Sequence, residues 1–214
     1  MKDKKILLMR HGTTDWNVQM RFQGRTEVPL NEQGEAQARS VRARIEAWNP
    51  QTVLVSPMGR AVRTAVLSTG AREENLTIEP HLTEIGFGDW EGMGLSSLKE
   101  NSVYRQWMNS PFSVAVSNAE PIGDVTLRVK AVLKRIEESD DERFLLISHG
   151  GTLRVLIAAA LKIPVDVTWK YFAMDNCSLS GLTARKGSFI LRFYNDRLHS
   201  LHPGGGYAPL PIQF

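Results

Sequence analysis

Short apolar runs alternate along this chain with longer stretches of helical periodicity, and this alternation limits the folds it can adopt. Residues 6–9, 52–55 and 144–147 are almost wholly apolar and too short for helices, which is typical of strands buried on both faces. Strands that alternate with helices favour parallel pairing through crossover connections. The pattern therefore predicts an α/β domain built around a largely parallel sheet.

Capping residues and apolar spacing predict where the helices begin and end. Asn31 is a suitable cap for a helix over residues 31–48. Ser56 before Pro57 predicts another helix start, and Gly70 predicts the end of that helix. Apolar spacing predicts further helices over residues 95–108, 124–138 and 151–161. The remaining predicted strands cover residues 77–79, 178–183 and 189–194, the last two as a hairpin.

Charge and composition exclude several classes of partner. The chain has 26 basic and 23 acidic residues, so its formal net charge is only +3. No run of like charge predicts a nucleic-acid arm or a polybasic membrane patch, so we expect neither nucleic acid nor membrane as a partner. The longest apolar stretch, residues 155–161, is too short to span a bilayer.

Cysteine content and the N-terminal sequence indicate the compartment. Cys177 is the single cysteine, which allows no intrachain disulfide and fits a reducing environment. The apolar run after the N-terminal lysines is too short for a signal peptide. We therefore expect a cytoplasmic protein. The sequence leaves its oligomeric state open, with a homodimer among the alternatives.

Chemically versatile side chains follow four of the predicted strands where each strand ends. Arg10 and His11 follow the first strand, Arg60 lies just after the second, Glu84 follows the third, and His149 follows the fourth. Ligands of open α/β sheets bind beyond the carboxyl ends of the strands. We therefore expect these five side chains to share one rim of the sheet.

This set of residue types suits phosphoryl transfer. A guanidinium matches the oxygens of a phosphate, so Arg10 and Arg60 are predicted to clamp one phosphoryl group. One histidine between them would be kept neutral by their charges and free to attack phosphorus, while the other would donate to a phosphate oxygen. Glu84 is the candidate proton donor to the leaving alcohol, with Glu91 as the alternative.

The same residue types could instead bind a metal ion. The chain has no HExxH motif, no cysteine pair and no aspartate-rich cluster. Two arginines at the site would also repel a divalent cation. We therefore expect no metal.

Five motifs stand in a fixed order along most of the chain. They are Arg10-His11-Gly12-x-Thr14-x-x-Asn17, Arg21-x-Gln23-Gly24 with Pro29-Leu30, Ser56-Pro57-x-x-Arg60-Ala61-x-x-Thr64-Ala65, Glu84-x-x-x-Gly88-x-Trp90-Glu91-Gly92 and Ser148-His149-Gly150-Gly151-Thr152-x-Arg154. As a set, these motifs closely resemble those of the histidine phosphatase superfamily, phosphoglycerate mutase-like branch.

The resemblance implies a fold and a role for each matching residue. The implied fold is a three-layer α/β/α sandwich with a mostly parallel central sheet, working without any cofactor. His11 would be the nucleophile that becomes phosphohistidine, and Glu84 would be the proton donor. The residues implied to hold the phosphate are Arg10, Arg60 and His149. The implied substrate contacts are Asn17, Gln23, Gly24 and Gly150.

The resemblance also implies a domain plan. We expect one domain over residues 1–214, with a lid-like insertion at about 90–124 and a Pro/Gly-rich tail at about 202–214. The chain departs from the family pattern at Thr13, where glutamate is common, and at Pro121-Ile122-Gly123-Asp124, which replaces a frequent Pro-Gly-Gly-Glu-Ser. In the lid, Lys99 and Arg105 are candidates to reach a second anionic group of the substrate.

The sequence is compatible with three functions. The leading hypothesis is a metal-independent phosphatase acting on a small phosphorylated metabolite. The alternative is a 2,3-bisphosphoglycerate-dependent phosphoglycerate mutase. Mutases of the family that this chain resembles tend to carry a basic, aromatic insert after the proton donor, and the segment after Glu84 lacks one. A non-catalytic phospho-ligand binder is the third hypothesis. Such a binder is expected to have lost His11, Glu84 or His149, and the chain retains all three.

Overall fold

A six-stranded sheet lies at the centre of the computed structural model, which describes residues 2–200. The strands are β1 (Lys4–Arg10), β2 (Thr52–Val55), β3 (Thr77–Ile78), β4 (Arg143–Ser148), β5 (Leu179–Arg185) and β6 (Ser188–Asp196). Their order is β3-β2-β4-β1-β5-β6. The first four strands in this order are parallel, β5 is antiparallel to β1, and β6 is antiparallel to β5. The predicted mostly parallel sheet and the predicted hairpin are both confirmed.

Helices cover both faces of this sheet. They are α1 (Asp15–Val18), α2 (Glu32–Ser40), α3 (Arg42–Trp48), α4 (Gly59–Thr69), α5 (Leu95–Leu98), α6 (Ser102–Asn109), α7 (Ile122–Glu138), α8 (Gly150–Leu161) and α9 (Val165–Tyr171). One core joins α7 and α8 to Ile6 and Leu8 of β1, and a second joins α3 and α4 to Leu7 and Met9. Alternate residues of one strand therefore pack in opposite directions, which gives three layers. No helix within residues 2–200 combines the length and apolarity needed to cross a membrane.

The register of the parallel strands brings their carboxyl ends to one level. Arg10 lies opposite Ser148, and Val55 lies opposite Ile147. The amide of His11 donates to the Ser148 carbonyl at 2.9 Å, which extends the pairing one residue beyond β1. The residues that follow β1, β2 and β4 therefore emerge side by side.

Two predicted helices are each divided in the structure. The helix predicted over 31–48 begins as expected, with the Asn31 side chain accepting from the Gly34 amide, but the chain turns at Val41. The Val41 side chain is fully buried, and this contact fixes the junction between α2 and α3. The helix predicted over 95–108 is interrupted before Asn101, whose side chain caps α6 at the Tyr104 amide.

The predicted start of α4 at Ser56 and Pro57 is wrong. This helix begins at Gly59, and its N-terminal flanking residue Met58 makes no side-chain cap. The Ser56 hydroxyl instead lies 2.7 Å from Nε2 of His149. A contact with a residue of another strand end thus takes the place of a local cap. The predicted end at Gly70 is correct, since Gly70 has a φ of 73°.

The segment between β3 and α7 contains α5 and α6 and is anchored by aromatic packing. Trp107 of α6 is buried, and its ring lies 5.6 Å from that of Trp90, 5.4 Å from that of Phe112 and 5.2 Å from that of Trp169, centroid to centroid. These edge-on contacts join the segment to α9. The predicted tail at 202–214 lies outside the described residues.

Candidate active site

The predicted side chains converge at the carboxyl edge of the sheet. They border a cavity of about 290 Å³ that is lined by Arg10, His11, Arg60, Glu84 and each of the four predicted substrate contacts, Asn17, Gln23, Gly24 and Gly150. His149 lies behind the cavity wall, with its ring centroid 5.1 Å from that of His11. The structure therefore brings all the predicted site residues to one place.

Backbone contacts fix the orientation of the His11 ring. Its Nδ1 lies 2.7 Å from the carbonyl oxygen of Gly12, which can only accept, so Nδ1 carries the proton and Nε2 bears the lone pair. A Cβ at position 12 would stand 2.5 Å from the Gly34 carbonyl oxygen, which explains the glycine after the histidine. The Asn176 side chain donates to the His11 and Gly12 carbonyls at 2.9 and 3.2 Å.

The two arginines are held by carbonyl oxygens rather than by carboxylates. Arg60 is fully buried and donates to the carbonyls of Thr26 and Gly24 at 2.9 and 2.7 Å, while Arg10 donates to that of Met174 at 2.5 Å. Neither forms an ion pair within residues 2–200, and burial lowers the pKa of both. The Glu84 charge acts on both guanidinium groups without an ion pair among the described residues, so their donors stay available to an anion at this edge of the sheet.

Both histidines are electrically neutral at physiological pH. Burial lowers the pKa of His11 well below its ordinary value, and the neighbouring His149, Arg60 and Arg10 lower it further. Burial, Arg60 and Arg10 lower the pKa of His149 in the same direction. A neutral imidazole keeps a lone pair at Nε2 of His11, so this atom is available as a nucleophile.

Ser56 orients the second histidine. Its hydroxyl also accepts weakly from the Met58 amide at 3.4 Å, which leaves its proton for Nε2 of His149. Nδ1 of His149 then carries the ring proton, and this buried atom has no partner among the described residues. An N–H group thus stands ready for a ligand oxygen. Sequence reasoning assigned Ser56 to a helix cap and missed this contact.

We expect Ser56→Ala to lower the turnover of phosphomonoesters about 10-fold or more, because it frees His149 to adopt the other tautomer. Steady-state kinetics measure the loss, and ¹⁵N shifts of the His149 ring report the tautomer. Ser40→Ala, at an exposed hydroxyl of α2, is the matched control. Wild-type kinetics in Ser56→Ala would contradict this role.

Glu84 is fixed at the N-terminus of α8. Its Oε1 accepts from the amide and hydroxyl of Thr152 at 2.9 and 3.1 Å, and its Oε2 accepts from the Gly151 amide at 3.2 Å. A Cβ at position 151 would stand 2.7 Å from Oε1, so a larger residue there would displace the carboxyl group. The helix therefore holds the carboxyl group at the cavity wall, on the side of Gly150.

Glu91, the alternative acid, has a structural position. It does not line the cavity, and its Oε2 accepts from the amide and hydroxyl of Thr26 at 3.0 and 2.8 Å. Its Oε1 accepts from the amides of Arg25 and Phe87 at 3.0 Å each. Glu91 thus joins the loop that carries Gln23 and Gly24 to the segment after Glu84.

Three further predicted positions are explained by local contacts. Asn17 accepts at Oδ1 from the Thr14 amide and from Asn176, and so caps α1 beside the cavity. Gly24 has a φ of 53°, and its carbonyl receives Arg60. Oε1 of Gln23 is buried without a partner among the described residues, which leaves it for a ligand.

The two basic residues of the predicted lid do not reach the cavity, and neither does Thr13, where the chain departs from the family pattern. Arg105 has a side chain 61% exposed that lies 3.9 Å from Glu100, and neither it nor Lys99 lines the cavity. Thr13 bonds through its amide and hydroxyl to Gln37 of α2. Within residues 2–200 there is also no group of three or more His, Cys, Asp or Glu side chains placed to hold a metal ion.

A pair of neutral, buried histidines beside two arginines held by backbone carbonyls defines a class of site that binds an anion and presents a nucleophile to it. Comparison with known proteins gives the family. Residues 6–197 match the histidine phosphatase superfamily (branch 1), and the chain belongs to that family.

The relatives include phosphatases and a mutase. The chain is 31% identical over 196 residues to the adenosylcobalamin/alpha-ribazole phosphatase of Salmonella typhimurium, covering 90% of this chain and 96% of the relative. It is 31% identical over 189 residues to a probable phosphoglycerate mutase of Cronobacter sakazakii, covering 87% of each. A phosphoserine phosphatase mutant from Entamoeba histolytica in complex with phosphoserine superposes with a TM-score of 0.82 at 25% identity, over 92% of this chain and 98% of that one.

Proposed function

We propose that this chain is a metal-independent phosphatase that hydrolyses small phosphomonoesters through a phosphohistidine at His11. The observation that carries the proposal is the buried imidazole pair, in which the free lone pair of His11 faces a cavity bordered by Arg10, Arg60 and Glu84. The family match supports phosphomonoester hydrolysis as the reaction.

The reaction proceeds in two half-reactions. Nε2 of His11 attacks phosphorus, the bond from phosphorus to the ester oxygen breaks, and the leaving oxygen takes a proton from Glu84. Water then attacks the phosphohistidine while Glu84, now a carboxylate, accepts a proton from it. The phosphorus–nitrogen bond breaks, inorganic phosphate departs, and both residues return to their starting states.

The arginines stabilise the charge that spreads over the phosphoryl oxygens. Arg10 at the end of β1 and Arg60 in the first turn of α4 line the cavity with His11, and Nδ1–H of His149 supplies a third donor. Because backbone carbonyls fix both arginines and Ser56 fixes His149, little reorganisation is needed as the transition state forms.

Phosphoglycerate mutase is the second candidate. The identity of 31% to a probable phosphoglycerate mutase favours it. Hydrolysis remains the better-supported activity, because the segment Ile85-Gly86-Phe87-Gly88 after Glu84 carries no basic residue. A mutase must hold its phosphohistidine away from water until the second alcohol returns.

The same proposal includes the domain organisation of the chain and its cellular location. Residues 1–214 form one domain, with residues 90–124 as a lid over the cavity and a small phosphorylated metabolite as the partner. Leu95 of this segment lines the cavity, which supports the lid assignment. The buried Cys177 thiol, with its pKa raised to about 12 by burial, is compatible with a cytoplasmic location.

We expect phosphate release from a panel of phosphomonoesters to be unchanged after exhaustive dialysis against EDTA, because the clamp consists of arginines. Rapid quenching with a ³²P-labelled substrate should trap an acid-labile, base-stable phosphoenzyme. Exchange between 2- and 3-phosphoglycerate, primed by the bisphosphate, is measured in parallel. Efficient exchange with trivial phosphate release would favour the mutase, and activity restored only by a divalent ion would reject the mechanism.

A further inference from the structure

The backbone of Glu84 is supported differently from that of the other site residues. Arg10 ends β1 and His149 directly follows β4, so the sheet itself fixes their positions. Glu84 lies beyond the 3₁₀ turn Pro80–Leu82 that follows β3, and β3 consists of only two exposed residues. A proton donor must stay within hydrogen-bond reach of the leaving oxygen. The backbone at Glu84 therefore needs a support other than the sheet.

Two arginines from other parts of the chain bind this backbone. Arg128 of α7 donates through Nη2 to the Glu84 carbonyl at 3.3 Å. Its Nη1 donates to the carbonyls of Thr83 and His81 at 2.7 and 2.6 Å. Arg25, from the loop between α1 and α2, donates through Nε to the Glu84 carbonyl at 3.3 Å. The Glu84 carbonyl thus has two guanidinium donors, neither of them from its own segment.

The Glu120 carboxylate joins the two arginines. Its Oε1 lies 2.8 Å from Nη2 of Arg25 and accepts from Nε of Arg128 at 3.0 Å. Its Oε2 accepts from Nη2 of Arg128, also at 3.0 Å. The side chains of Glu120 and Arg128 are both largely buried. A buried, bidentate pair of this kind fixes geometry more firmly than an exposed single contact does.

Glu120 also binds the segment after Glu84 directly. Its amide donates to the Gly86 carbonyl at 2.8 Å, and its Oε2 accepts from the Gly86 amide at 3.3 Å. In the chain, Glu120 stands directly before Pro121, the residue that precedes α7 and begins the departure from the family pattern. The backbone from residue 83 to residue 86 is thus held by one carboxylate and two guanidinium groups.

The carboxyl group of Glu84 is held by a different element. Its oxygens accept from the amides of Gly151 and Thr152 at the start of α8. The Glu120 carboxylate and its two arginines therefore determine where the Glu84 backbone lies, and α8 determines the direction of the carboxyl group. None of the three side chains in the Glu120 network lines the cavity. Their effect on the reaction must pass through a residue that does.

We propose that Glu120 is a positioning residue for the proton donor: together with Arg25 and Arg128, it fixes the Glu84 backbone so that the carboxyl group meets the leaving oxygen. This inference rests on the proposed phosphatase activity. Glu120 acts through Glu84 and contacts neither the phosphate clamp nor the nucleophile. A displacement of about 1 Å is enough to lower the rate of a reaction step by up to about 10²-fold.

The test compares two leaving groups in Glu120→Gln. Rapid quenching follows phosphoenzyme formation from p-nitrophenyl phosphate and from the alkyl phosphate that the wild type hydrolyses fastest. The rate with the alkyl phosphate should fall about 10- to 100-fold, while that with p-nitrophenyl phosphate, whose leaving group needs no proton, stays within about threefold. In the steady state with the alkyl phosphate, kcat should fall and KM should stay within about threefold, because the clamp is intact.

Arg25→Gln tests the same role at a position that tolerates replacement. The Arg25 side chain is 48% exposed, so this variant is expected to fold even if Glu120→Gln does not. It should show the same selectivity for the alkyl phosphate with a smaller loss, about 3- to 10-fold. Arg128 is left in place, because its charge also lowers the pKa of His149 and its replacement would alter two site residues.

Arg135→Gln is the matched control for Arg25→Gln. The Arg135 side chain is 54% exposed and also binds a buried carboxylate, but that carboxylate belongs to Glu79, at 2.6 Å. This variant should leave the rates with both leaving groups unchanged. In a Glu84→Gln background, adding Glu120→Gln should cause no further loss with the alkyl phosphate, because the group through which Glu120 acts is already gone.

Amide chemical shifts report the position of Glu84 without any catalysis. The amides of Gly151 and Thr152 donate to its carboxyl group, so their ¹H and ¹⁵N shifts depend on where that group lies. We expect these shifts to change in Arg25→Gln and in Glu120→Gln, and to keep their wild-type values in Arg135→Gln.

Two sets of outcomes distinguish the failure of this proposal from that of the phosphatase activity. Equal losses with the two leaving groups, a further loss in the Glu84→Gln background, or unchanged Gly151 and Thr152 shifts in Arg25→Gln would overturn the positioning role. Phosphate release from no substrate, with the shifts still changing as expected, would reject the phosphatase activity and retain the positioning role.

Discussion

His11→Ala is expected to lower phosphomonoester hydrolysis by about 10⁴-fold or more, because no other described side chain presents a free nucleophilic nitrogen to the cavity. The variant should fold, since alanine leaves the His11 amide and carbonyl free to keep their contacts with Ser148 and Asn176. Steady-state phosphate release measures the loss, and quenched reactions with labelled substrate should contain no phosphoenzyme.

The matched control is the same substitution at a histidine away from the cavity. The His81 side chain is half-exposed and contacts Glu79 at 2.8 Å, so His81→Ala should keep wild-type turnover and the labelled intermediate. If His11→Ala retained more than about one hundredth of the wild-type rate, another nucleophile would have to be sought. His149 would be the residue to examine first, because its ring adjoins that of His11.

Glu84→Gln is expected to separate substrates by their leaving groups. Glutamine cannot donate the proton that an alkoxide needs, so hydrolysis of an alkyl phosphate should fall about 10²- to 10⁴-fold. An aryl phosphate such as p-nitrophenyl phosphate has a leaving group that departs without a proton, so its phosphoenzyme should form at a rate much closer to that of the wild type. Water then lacks its base, and stopped-flow measurements should show a burst followed by slow turnover.

Glu91→Gln provides the contrast for this experiment. Because Glu91 accepts hydrogen bonds from Thr26 and Phe87 and does not line the cavity, its loss should disturb the loop and lower both activities by the same factor. The ratio of alkyl to aryl rates should stay at the wild-type value. Should Glu91→Gln instead lose only the alkyl activity, and Glu84→Gln lose both without a burst, the roles of the two carboxyl groups would be reversed.

The alternation of strand-length apolar runs with helical stretches made the sheet and the meeting point of the site predictable. Such alternation predicts parallel strands, and parallel strands bring the residues that follow them to one edge. Arg10, His11 and His149 each stand directly at such an end, so their proximity follows from the pattern alone. Local signals were also sufficient for Asn31 and Gly70, whose roles depend on residues only a few positions away.

The errors and omissions involve contacts that no local pattern encodes. Ser56 before Pro57 is a sound cap signal, but its hydroxyl contacts His149, 93 residues later. Asn176 reaches back 165 residues to the His11 carbonyl. Tertiary neighbours therefore determine these roles.

The position of β1 in the sheet has a consequence for how the protein folds during synthesis. This strand carries the nucleophile and lies between β4 and β5, pairing Lys5 with Arg143 and Thr183. Both neighbours are made long after β1 during synthesis, and closing such long loops is slow. β1 must therefore wait without its sheet partners until residues 143–148 and 179–185 have been made. A nascent chain that stops short of β4 also lacks His149, so it cannot assemble the site.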